Sequence, residues 1–135
     1  MLDRTLATQL DTDFSRSEQA LRTSILKIID DHASRGFSSL QGPAIGRIVE
    51  ACDRTMEQAY DVALKLLQEH LKQCEPDERF QRVLAILPQM EQRLMRLAVT
   101  PASYIDSLDG VTPPELASRV PLFLSRLQSA ANSTR

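Results

Sequence analysis

From Ala44 to Cys74 the chain carries two apolar seams side by side. Ile45, Val49, Cys52, Met56, Ala59, Ala63, Leu66 and His70 recur at alternating steps of four and three, which is a heptad seam on a helix. Tyr60, Leu64, Leu67, Leu71 and Cys74 form a second row beside it. Two adjacent seams make a stripe wide enough to touch partners on two sides, so this helix is expected at the centre of the fold. At 1.5 Å per residue it is roughly 46 Å long.

The flanking stretches have to supply those partners. Helix 1 is expected from about Asp3 to Ser34, with Phe14, Ser17, Leu21, Ile25, Ile28 and His32 inward. Leu2, Leu6 and Leu10 continue that face. Thr5, Thr8, Thr12 and Asp13 are poor helix formers, so the first dozen residues are expected to fray or dock separately. Gly36 reads as the glycine that ends helix 1, with Phe37 folding back onto the last turn. Ser39, or Gly42 with Pro43 in the first turn, starts the next helix. The short connection predicts an antiparallel hairpin of helices 1 and 2.

Glu75-Pro76-Asp77-Glu78 starts helix 3, with proline at the first position and acids in the first turn. Phe80, Val83, Leu84, Leu87, Met90, Leu94 and Leu97 form its expected inner face, running to about Ala98. Pro88 should kink or split it near Leu84. Thr100-Pro101 opens a short helix through Leu108, with Ile105 and Leu108 inward, and Asp109-Gly110 is a turn. Thr112-Pro113-Pro114-Glu115 reads as a capping box for helix 5. That helix carries Leu116, Val120, Phe123, Leu124 and Leu127 inward and is kinked at Pro121. The expected fold is all-α: an antiparallel helical bundle of about five helices built on the long helix 1–helix 2 hairpin. Residues 1–131 form one domain, and 132–135 a disordered tail.

Three acid-first pairs, Glu18–Arg22, Glu50–Arg54 and Asp61–Lys65, sit at i,i+4 spacing and mark solvated faces. Net charge is −2, so no basic excess exists to neutralise phosphates along a nucleic acid. Aromatics make up 4% and Trp is absent, which removes the stacking platform of single-strand binders. No apolar run approaches the length of a membrane span. Met1-Leu2-Asp3-Arg4 is not followed by the apolar core of a signal peptide, and a cytoplasmic protein is expected.

Chemistry-bearing motifs are few. The four glycines form no phosphate loop, and no HExxH or nucleophile elbow occurs. Cys52 and Cys74 lie roughly 33 Å apart along one helix and cannot bridge. His70 and Cys74 have the spacing of two zinc ligands, but no further pair completes a site, so no metal and no cofactor is expected.

His32-Ala33-Ser34-Arg35-Gly36 and the later Gly42 spell H-x-x-R-G-x5-G. This resembles the histidine phosphotransfer family signature, in which a cation follows the His at plus three and a Gly at plus four. Arg35 stands where that family has Lys, Ser34 where it has an aliphatic residue, and Asp31 where it has a small one. The resemblance implies a helical signalling module with His32 as phosphoacceptor, Arg35 holding the phosphoryl group and Gly36 clearing space. The residues themselves favour a non-enzymatic protein–protein interaction or assembly module. In that reading Tyr60, Leu64, Leu67 and Leu71 are the interface of a homodimer, because the second seam outruns the partners helix 1 can supply.

Overall fold

The computed structural model describes residues 4–36, 42–105, 108 and 110–132. Among them every regular element is a helix. α1 spans Arg4–Ser34, α2 Gly42–Lys72, α3 Pro76–Val99, α4 Pro114–Ala117 and α5 Arg119–Asn132, with a 3-10 turn over Thr100–Ser103. The expected five helices are thus four long ones. Of the expected helix from Thr100 to Leu108, the described residues form the 3-10 turn at Thr100–Ser103 and a 3-10 position at Leu108, and α4 is a single turn. Met1 to Asp3, the link from Phe37 to Gln41 and the tail from Ser133 lie outside the described residues, as do the expectations for Leu2, Phe37, Ser39 and Asp109.

One continuous core draws on α1, α2, α3, α4 and α5. α2 touches α1, α3 and α5, whereas α1 and α5 do not touch each other. The helices therefore form a flattened ring in the order α1, α2, α5, α3, with α2 and α3 meeting across its short diagonal.

The centrality expected of α2 is observed, and it corrects the expected interface. Tyr60, Leu67 and Leu71 are almost fully buried and Leu64 is half-buried against the core. α5 and α3 cover the second seam between them. The Tyr60 and Phe123 rings meet at 5.0 Å between centroids. No exposed strip remains on α2 to serve as a contact, because the broken C-terminal segment still supplies one full helix at the right place.

Neither Pro88 nor Pro121 splits a helix at the expected place. α3 runs unbroken through Pro88. The Leu84 carbonyl that Pro88 leaves without a donor lies on the exposed flank, where water can satisfy it. Pro121 has no N–H for the Ala117 carbonyl, and the chain breaks at Ser118, between α4 and α5, rather than kinking further on. The capping box does not form either. α4 starts one residue later, with Pro113 at the cap position and no side-chain bond there.

α3 ends for a related reason. Pro101 cannot donate to the Leu97 carbonyl, and that oxygen instead accepts from the Thr100 N–H and, at 3.0 Å, from the Cys52 thiol. The buried thiol's pKa is pushed up to about 12, chiefly by burial.

The start of α1 is docked rather than frayed. Leu6 and Leu10 are buried, and the Gln89 side-chain amide donates to the Ala7 carbonyl and to Asp11. Arg93 pairs with Asp11 at 2.8 Å. Burial alone would raise the Asp11 pKa, but the bonds from Gln89 and Arg93 outweigh it and the carboxyl is lowered.

α3 turns most of the expected row inward: Val83, Met90, Leu94 and Leu97 are buried as expected and Leu87 packs against the core, while Ile86 and Ala98 join them and Phe80 and Leu84 do not. Phe80 and Leu84 are 52% and 39% exposed. α3 carries more apolar surface than one face, and packing against α1, α2 and α5 adds Ile86 to the inward row.

Candidate functional site

A groove of about 700 Å³ lies between α1 and α2. Its floor is apolar, from the buried Ile28 and Ala51. At one end Asp31 accepts from Arg47 at 3.0 Å and pairs with Arg35 at 3.5 Å. The Arg47 bond, with the Arg35 charge beside it, holds the Asp31 carboxyl below its ordinary range. Lys27, Glu50 and Arg54 line the middle, and Ser24, Thr55 and Gln58 the other end. The groove thus holds four cations against two carboxylates, on a chain whose net charge is −2. The expected pairs of Glu50 with Arg54 and of Asp61 with Lys65 are not among the ion pairs of the described residues, whereas Glu18–Arg22 forms at 3.8 Å.

A second charged cluster ties α5 to α2. Arg119 reaches Asp53 at 2.9 Å and Glu57 at 2.7 Å, and Arg126 reaches Glu57 at 3.1 Å. Both guanidiniums lie over the buried rings, Arg119 at 4.6 Å from Phe123 and Arg126 at 4.7 Å from Tyr60. These groups satisfy one another and brace the bundle.

His32 is half-buried in the last turn of α1, beside the basic end of the groove. Arg35, three residues on, is engaged by Asp31. Gly36 adopts φ +92°, and a side chain built there would meet nothing within 4 Å. Gly36 supplies the left-handed backbone that ends the helix, its N–H donating to the Ala33 carbonyl at 3.0 Å. The structure brings His32, Arg35 and Gly36 together only as neighbours along one turn. His70 and Cys74 approach to 3.7 Å, and among the described residues no group of three or more metal-ligating side chains gathers. No helix of the described residues is long and apolar enough to cross a membrane.

The groove was not apparent from spacing. Ser24, Lys27, Ile28, Asp31 and Arg35 do share one helical face, and so do Arg47, Glu50, Ala51, Arg54 and Gln58. Only the packing of α1 on α2 sets those two faces opposite each other. Comparison with family models, with curated proteins and with solved structures gives no match.

Proposed function

We propose that the chain is a non-enzymatic helical module for protein–protein interaction or assembly, built on the α1–α2 hairpin, and that it self-associates through the outward row of α3. The hairpin reading is supported by Asp31, near the end of α1, bonding Arg47, near the start of α2. The interaction reading is carried by one observation. Phe80, Leu84, Met95 and Val99 are 37–52% exposed on a single flank of α3, with the exposed Pro88 between them. An apolar row of this extent on a surface helix marks a contact.

Its spacing suits a second copy. Phe80 and Leu84 are separated by one helical step of four, and so are Met95 and Val99. Antiparallel pairing of two α3 helices about a two-fold axis near Gln89 and Met90 sets Phe80 of each copy against Val99 of the other, and Leu84 against Met95. Glu91 then faces Pro88 rather than its own counterpart. A closed two-fold dimer is the commonest assembly for such a self-complementary surface. The phosphotransfer alternative, with His32 as acceptor, draws less support, since the cation it requires is already paired with Asp31.

Sedimentation across micromolar concentrations is the test. The expected mass is twice the 15.2 kDa of the chain, with Leu84→Glu returning it to the monomer at unchanged helicity. A wild-type monomer at the highest concentration would remove the self-association reading.

A further inference from the structure

We infer that the groove between α1 and α2 is a binding site for a small organic phosphate. Several basic side chains of the described residues are spent on structure: Arg93, Arg96, Arg119 and Arg126 are held by carboxylates of other helices. Lys27 and Arg54 are not. Neither side chain makes an ion pair or hydrogen bond among the described residues, yet both line this one groove. Exposed cations gathered on one groove raise the local concentration of anions there. The volume of about 700 Å³ lies in the range of small-molecule sites and far exceeds a lone phosphate.

The groove is also graded along its length. Lys27 and Arg54 occupy its middle and Arg35 and Arg47 one end, whereas Ser24, Thr55 and Gln58 at the other end are neutral donors and acceptors. A ligand that matches both parts has a phosphate at one end and hydroxyls or amides at the other. Ile28 and Ala51 give it an apolar floor. Glu50 is exposed and opposes an anion, but the cations still outnumber the carboxylates by two to one. Asp31 acts as an internal competitor. It holds Arg35 and Arg47 in place, and a phosphate must share those guanidiniums with it. This site lies across the ring of helices from the α3–α5 edge, so it is independent of the self-association surface.

Amide chemical shifts of the whole protein, titrated with ribose 5-phosphate at low salt, test this. Saturable shifts are expected across Ser24–Arg35 and Arg47–Gln58, with ribose giving none. Replacing Lys27 and Arg54 together by Ala should weaken binding about tenfold or more, the worth of one charged hydrogen bond or greater. Both side chains are exposed and unpaired, so the thermal midpoint should hold. Asp31→Asn should tighten binding several-fold, a gain that a purely structural aspartate would not produce. Shifts matched by sodium chloride at equal ionic strength would overturn the site, as would a double variant that binds unchanged. Tighter binding of an acidic peptide than of ribose 5-phosphate would overturn it in favour of a protein ligand.

Discussion

Leu66 and Leu67 are adjacent in the chain and differ in burial. Leu67 is 1% exposed, whereas Leu66 is half-buried at the margin of the core. The heptad seam read from spacing placed Leu66 inward with Met56 and Ala63. Met56 and Ala63 are indeed buried, but α5 draws the centre of the buried face towards Tyr60 and Leu67. Leu67→Ala should therefore cost about 2–5 kcal/mol, and Leu66→Ala clearly less. Urea midpoints for the two variants check the order, and equal losses would mean that the seam and not the α5 contact governs α2. Cys52 shows how a single residue can carry a local solution. A small side chain was legible there, but its bond to the carbonyl that Pro101 leaves open was not, because the two residues meet only through the crossing of α2 and α3.

At the scale of elements, sequence reading was most reliable where helix ends have a local cause. Pro76 at the first position of α3 with Asp77 and Glu78 behind it, and Gly36 after α1, are where the residues place them. It was least reliable where a partner decides, as with the choice between fraying and docking at the start of α1 and the exposure of Phe80 and Leu84 on α3. The clasp between α2 and α5 is of this second kind. Glu57 has its carboxyl lowered, first by the hydrogen bond from Arg126 and then by the Arg119 and Arg126 charges. A lowered carboxyl adds stability above its unfolded pKa, and that stability is lost as pH falls through the folded value. Glu57→Gln should thus lower the thermal midpoint at pH 7, and the gap from wild type should close as pH falls below the ordinary glutamate value of 4.5. A gap that persists at pH 3 would show that packing over Tyr60 and Phe123, not the charge, is what the variant disturbs.

At the scale of the molecule, the core is one cluster reaching from Leu6 to Leu127. A single core gives a single cooperative transition. Phe123→Ala removes a ring at the α2–α5 contact and should cost about 3–5 kcal/mol. It should shift the unfolding of α1, α2 and α3 together with α5. Far-ultraviolet circular dichroism and tyrosine fluorescence from Tyr60 and Tyr104 should then give coincident curves. Separate curves would mean that α5 melts from a core of α1, α2 and α3 that is stable without it.

The sequence by itself determined that this chain is helical, that α2 lies at its centre, where α1 ends and where α3 begins. Period, caps and prolines act within a turn or two of the backbone, so they are written locally. Only the tertiary structure decided which flank of α3 faces water, that α5 closes over Tyr60 and Leu67, and that Lys27 and Arg54 share one groove. Each of those outcomes is a choice among apolar or charged faces of similar strength, and the choice is made by residues far away in the chain that compete for the same buried surface.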